Sequence, residues 1–138
     1  MYVAFGNRII DSKEIGEIIE KNTEFKIIKD MSKGSKRDDI AAYNLSVSID
    51  ILNEILEDEE YNLSELDEDE LFEEYLTTAE EIATDIDEYI PDESLMDIKA
   101  YKWDSSDNDI KLIIAIAHED LGEGKLKDVM KRLLTQVE

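Results

Sequence analysis

The sequence predicts an α+β fold: one domain, an about four-stranded and mostly antiparallel sheet, and helices packed on it. The main observation is that stretches of strand-like composition alternate with stretches whose apolar residues recur every three or four positions. A second is that the 138 residues, 42% of them apolar, suffice for one domain with a sizeable core. The predicted order of elements over residues 1–138 is β-α-β-α-α-β-β-α, without repeats or linkers.

Two strands and one helix are predicted in the N-terminal quarter. Residues 1–5 are aromatic and β-branched, which is typical of a strand, and a Gly-Asn pair ends it. Asp11 or Ser12 is positioned to cap a helix that continues to about Asn22. A second strand is predicted over residues 23–28.

The central segment, residues 39–90, is predicted to form two helices. From about Asp39, apolar residues keep helical spacing for some four turns. The chain then turns through residues 59–66. A second helix, with an apolar stripe close to an ideal 3.6-residue period, is predicted from about Asp67 to Ile90, where Pro91 stops it.

The last third is predicted to contain a β-hairpin and a helix. Residues 95–103 and 110–117 have strand-like patterns, and the polar residues 104–109 between them are typical of a hairpin turn. Two glycines then precede a basic amphipathic helix over residues 125–136.

Charge is the most informative feature for function. The formal net charge is −22, and residues 38–99 carry 23 Asp and Glu side chains but only one basic residue, Lys99. On the second central helix, residues 67–88 hold 11 acids, which at a rise of ~1.5 Å per residue is about one charge every 3 Å. Duplex DNA presents one charge per about 1.7 Å, so the two densities agree within a factor of two.

Acidic helices often serve solvation alone, which is the simplest interpretation of this segment. A solvated helix is nevertheless expected to mix lysine with glutamate at i,i+4, because such pairs stabilise it while like charges destabilise it. Residues 38–98 contain no lysine or arginine. The repulsion between these carboxylates destabilises the helix, and its presence therefore favours a functional role for the negative charge.

The leading hypothesis is a small acidic binding protein that inhibits or masks a basic protein, of the phage anti-defence or toxin-immunity type. The partner would be a nucleic-acid-handling protein whose phosphate site the carboxylates occupy. Direct binding of nucleic acid or anionic membranes is not expected, because both would be repelled. The candidate partner-binding residues are Glu57, Asp58, Glu59, Glu60, Asp67, Asp69, Glu70, Glu73, Glu74, Glu80, Glu81, Asp87 and Glu88.

Two alternatives stay open. The basic segment with Lys33, Lys36 and Arg37 is a candidate anion site, since loops with glycine and lysine often bind phosphate. It would make the protein a sequestering protein for a small, nucleotide-like ligand. Alternatively, the protein is an acidic assembly or structural factor of a larger complex, in which the charge only maintains solubility.

Catalysis, metals and cofactors are not predicted. The single histidine, His118, has no serine elbow, phosphate loop or His-Glu-x-x-His motif to accompany it. The acidic turn that begins at Asp104 fails the EF-hand pattern, which requires glycine at the sixth position and glutamate at the twelfth; the chain has Asp109 and Ala115 there.

A cytoplasmic location is expected. The chain contains no cysteine, so it has no disulfides and no thiolate metal site. Its N-terminus lacks the pattern of a signal peptide. The longest apolar run, Leu112–Ala117, is six residues, far shorter than a membrane span.

Overall fold

A four-stranded antiparallel sheet forms the centre of the protein. The computed structural model describes residues 1–60 and 62–137. The strands in these residues are β1 (Tyr2–Phe5), β2 (Arg8–Asp11), β3 (Lys26–Asp30), β4 (Ile40–Ser48), β5 (Ser94–Asp104) and β6 (Asp109–His118). The sheet has the order β3-β4-β6-β5, and β1 and β2 form a separate two-stranded hairpin. The predicted α+β class with four antiparallel strands is confirmed.

Helices cover both faces of this sheet. They are α1 (Ser12–Asn22), α2 (Ile49–Asp58), α3 (Glu68–Ala83) and α4 (Glu123–Leu134). The short 3₁₀ helices are Ser32–Ser35, Leu63–Glu65, Thr84–Tyr89 and Glu119–Leu121. The predicted helix over residues 67–90 is therefore confirmed as α3 continued by a 3₁₀ helix. The predicted turn over 59–66 includes position 61, which lies outside the described residues, as does position 138 of the predicted domain.

The prediction of a helix from Asp39 was wrong for its first half. Residues 40–48 form β4, a central strand of the sheet. It pairs along its whole length with β6 on one side, and β3 pairs with it on the other side. Its side chains are buried on both faces of the sheet, which makes the run almost continuously apolar. Such a run matches helical spacing as well as a central strand. The helix begins only at Ile49, where the Ser48 side chain accepts a hydrogen bond from the Asp50 backbone.

The prediction of a single sheet was wrong for the N-terminal strand, which forms a separate hairpin. Residues 2–5 do not join the main sheet but pair with Arg8–Asp11, a strand that the sequence pattern did not indicate. Gly6 lies in the turn between them with φ of +62°, which glycine adopts without strain. The predicted strand 23–28 begins three residues later, because Thr23 caps α1 and accepts a hydrogen bond from the Phe25 backbone.

Two hydrophobic cores lie on opposite faces of the sheet. Tyr43, Leu52 and Ile114 belong to the core beneath α1, α2 and α3. Ile113 and Leu126 belong to the core beneath α4. Neighbouring strand residues point to opposite faces, so the central strands serve both cores. The fold consequently separates the acidic helices α2 and α3 from α4 by the thickness of the sheet. No helix in the described parts of the chain is long and apolar enough to cross a membrane.

Candidate protein-binding surface

The thirteen candidate carboxylates lie at the end of α2, in the following turn, along α3 and in the 3₁₀ helix Thr84–Tyr89. We call this set the acidic surface. Its side chains are exposed except those of Glu74 and Glu80, which are half-buried. The helices that carry it pack against each other and against the same face of the sheet, with Tyr75 and Ala79 of α3 buried. The buried stripe thus directs most of the carboxylates to solvent.

Three members of the acidic surface have structural contacts that the sequence pattern did not predict. Asp67 and Glu70 form a capping box: the Glu70 backbone N–H donates to Asp67 Oδ1 at 2.8 Å, and the Glu70 side chain accepts from the Asp67 backbone. Glu80 Oε1 accepts the backbone N–H of Ala100 at 2.9 Å. Ala100 adjoins the bulge of the edge strand β5, so Glu80 satisfies a donor that the sheet leaves unpaired. These three carboxylates stabilise the fold.

The remaining carboxylates are not paired with a basic side chain of the described residues. Among residues 1–60 and 62–137, no ion pair within 4.0 Å involves the acidic surface. The nearest basic residue in sequence, Lys99, lies on β5 opposite Ile113, and therefore on the α4 face of the sheet. Lys127 and Lys131 extend from α4 itself. The carboxylates of α2 and α3 and the lysines of α4 therefore lie on opposite faces of the sheet.

The predicted basic loop lies away from the acidic surface. Arg37 makes two hydrogen bonds to Asp39, at 2.7 and 2.9 Å, and these hold the pKa of the Asp39 carboxyl below its usual value. The Arg132 guanidinium from α4 donates to the backbone oxygen of Ser35 at 2.6 Å. Of the three predicted anion ligands, Lys33 and Lys36 remain exposed, whereas Arg37 is already paired.

The acidic turn 104–109 has its own cation. The carboxylates of Asp104, Asp107 and Asp109 can place oxygens within 4.8 Å of one another. However, the ammonium of Lys111 lies 2.9 Å from both Asp107 Oδ2 and Asp109 Oδ2. Lys111 thus supplies the positive charge that a metal ion would otherwise bring.

His118 has a local role at the end of β6. Its Nδ1 accepts a hydrogen bond from the Asp120 backbone at 3.1 Å, which caps the 3₁₀ helix that follows. Its Nε2 lies 3.1 Å from Glu93 Oε2, and its ring meets Phe5 edge-on. Both ring nitrogens are therefore engaged in contacts that join β6 to neighbouring turns.

Exposed apolar residues are the feature that sequence reasoning missed. Ile18 belongs to the predicted N-terminal helix, and 43% of it is exposed on α1. Tyr2 and Ile9 are each 75% exposed on the outer face of the β1–β2 hairpin. The available signal in the sequence was the pair Ile9-Ile10, which lies in a segment for which no element was predicted. The pair could be interpreted only once the hairpin was known, because neighbouring residues of a strand point to opposite faces, so that Ile10 points inward and Ile9 outward.

Comparisons of this chain with protein-family models, curated proteins and solved structures gave no match. Chemically, the acidic surface can accept hydrogen bonds and ion pairs from lysine and arginine side chains, which form their strongest hydrogen bonds with charged oxygens.

Proposed function

We propose that this protein binds a basic protein partner and inhibits or masks it by occupying the partner's nucleic-acid site. The observation that supports the proposal is the acidic surface: exposed carboxylates along α2, α3 and the 3₁₀ helix, with no cation of the described chain paired to them. The carboxylates would take the place of phosphates. Their mean axial spacing on α3 is of the same order as the charge spacing of duplex DNA.

A rigid scaffold strengthens such mimicry. The capping box orders the first turn of α3, and the buried Tyr75 and Ala83 orient the helix against the sheet. The carboxylates are thereby presented without a large loss of backbone entropy on binding. Exposed carboxylates at this density also attract a basic partner before contact, which raises the association rate at low salt.

This mode of action fits an inhibitor of the phage anti-defence or toxin-immunity type, acting in the cytoplasm. An acidic protein of this kind needs no cofactor and performs no reaction. It acts by competition, so its effect depends on affinity for the partner and on salt.

The proposal is tested by capturing partners from a bacterial lysate with three immobilised proteins. They are the wild type, the double variant Glu73→Lys with Glu81→Lys, and a control with Glu119→Lys and Asp128→Lys. Both variants change the net charge equally, but the control residues lie on the 3₁₀ helix after β6 and on α4. All four side chains are exposed, so the variants should fold.

Wild type and control are expected to retain the same basic nucleic-acid-binding protein, which elutes as the salt concentration rises. The α3 variant should lose it. Equal capture by both variants would contradict the proposal. A stoichiometric complex that is indifferent to salt would favour the assembly factor instead. A co-purifying small molecule that is lost on Lys36→Ala would favour the sequestering protein.

A further inference from the structure

A groove runs beside the acidic surface, between α1, the β1–β2 hairpin and the 3₁₀ helix Thr84–Tyr89, and apolar residues form most of the lining of its wider part. Its wider part, of about 540 Å³, is lined by residues that include Ile9, Ile18 and Tyr89. Its narrower part, of about 360 Å³, is lined by residues that include Ile55, Ile82 and Tyr89. Tyr89 lines both parts, so the two depressions adjoin at this side chain.

The strongly exposed large apolar residues of the described chain are concentrated here. Four large hydrophobic residues of the described chain are strongly exposed, and three of them, Tyr2, Ile9 and Ile18, line this groove. The fourth, Ile28, lies elsewhere, on β3. Single exposed apolar residues are ordinary, but a contiguous group around a concave surface is typical of an interaction site.

Charge on the rim specifies the occupant. Glu14 borders the wider part of the groove, and Glu24, Asp85 and Glu88 border the narrower part. The residues that line these two parts include no lysine or arginine. Glu88 also belongs to the acidic surface, so the groove and that surface are continuous. An apolar floor with an acidic rim complements apolar side chains flanked by lysine and arginine, and it repels anionic lipid and nucleic acid.

We infer that this groove binds an amphipathic basic segment of the protein partner, which inserts apolar or aromatic side chains beside Tyr89 and places its cations on the rim. The inference rests on the proposed function and adds to it. The acidic surface attracts a basic partner in many orientations. The groove accepts the partner segment in one register only, and it therefore discriminates between partners.

The test measures the binding of two fluorescent peptides by anisotropy. One is an amphipathic helix of leucine and lysine about five turns long; the other has each leucine replaced by serine and carries the same charge. The groove variant is Ile9→Ser with Ile18→Ser, and the matched control is Ile28→Ser. These side chains are substantially exposed, so the folds should persist, which circular dichroism checks. Ile9→Ser alone provides a milder second variant.

Wild type and Ile28→Ser are expected to bind the leucine peptide at least about 10-fold more tightly than the serine peptide, because the leucines bury apolar area in the groove. The groove variant should lose most of this preference and keep its affinity for the serine peptide. Ile9→Ser alone should lose part of the preference. Equal affinity of wild type for the two peptides, or equal losses in the groove variant and Ile28→Ser, would overturn the inference.

Two further results separate this inference from the proposed function. If Glu73→Lys with Glu81→Lys weakens both peptides equally while the groove variant changes nothing, the acidic surface stands and the groove inference fails. If only the groove variant has an effect, the groove stands and the acidic-surface proposal fails. Sedimentation that shows a wild-type dimer and a monomeric groove variant would mean that a second copy covers the groove, which would also overturn the inference.

Discussion

Replacing Glu54 by lysine should stabilise this protein, because Glu54 is surrounded by like charges on α2. Asp50 lies four residues before it, and Glu57 and Asp58 lie three and four residues after it, all within the helix Ile49–Asp58. Residues at these spacings are neighbours on a helix surface. Glu54 is exposed, so the substitution should not disturb the core.

The size of the effect follows from these three pairs. A like-charge pair at this spacing destabilises a helix by about 0.2–0.5 kcal/mol, and an opposite pair stabilises it by a similar amount. Glu54→Gln should therefore raise the free energy of unfolding by about 0.6–1.5 kcal/mol, and Glu54→Lys by about 1–3 kcal/mol. For 138 residues, the lysine variant should melt about 3–10 °C higher. Glutamate, glutamine and lysine have similar helix propensities, so propensity contributes little.

Urea unfolding of the wild type and the two variants at about 0.01 M and about 1 M salt measures this, since the Debye length falls from about 30 Å to about 3 Å. The gain should appear at low salt, be larger for lysine than for glutamine, and largely vanish at high salt. The wild type should itself become more stable as salt rises. Absence of any gain at low salt would refute the reasoning that the carboxylates repel one another. A gain that persists undiminished at high salt would refute its electrostatic origin.

Two other predictions concern the interior and the sheet. Tyr43 is fully buried and its Oη donates to the Ser12 carbonyl oxygen at 2.6 Å, so Tyr43→Phe should lower the free energy of unfolding by about 1–3 kcal/mol in urea titrations; an unchanged value would contradict this. Burial raises the pKa of Asp97 above its ordinary 3.8, so its ionised form costs stability at neutral pH. Asp97→Asn should therefore be more stable than the wild type at pH 7, and the difference should shrink to nothing as pH falls below about 3.8. An advantage independent of pH would show that titration of Asp97 is not its cause.

The acidic helix α3 was predicted well because the apolar stripe that defines it lies within one segment of the sequence. The apolar residues of α3 recur at helical spacing, and those buried in the structure, such as Tyr75, Ala79 and Ala83, belong to the predicted stripe. The direction of most carboxylates follows from that stripe. The contact of Glu80 with Ala100 did not follow, because it joins residues that are 20 positions apart.

The structure of residues 40–48 was predicted wrongly because it depends on strands that are distant in the sequence. An apolar run with alanine, tyrosine and valine satisfies helical spacing and strand alternation alike. Pairing with β3 on one side and β6 on the other satisfies its backbone hydrogen bonds and buries both of its faces. Neither partner can be identified from the run itself.

The sequence alone determined the α+β class, the excess of negative charge and the side of α3 that carries it, because composition and periodicity within a segment decide amphipathicity. Only the tertiary structure decided that β4 is a central strand and that α4 with its lysines lies across the sheet from the acidic surface. The tertiary structure also decided that Ile9, Ile18 and Tyr89 share one groove. Strand pairing and solvent exposure are set by elements distant in sequence, since each depends on which surfaces remain after the others have packed.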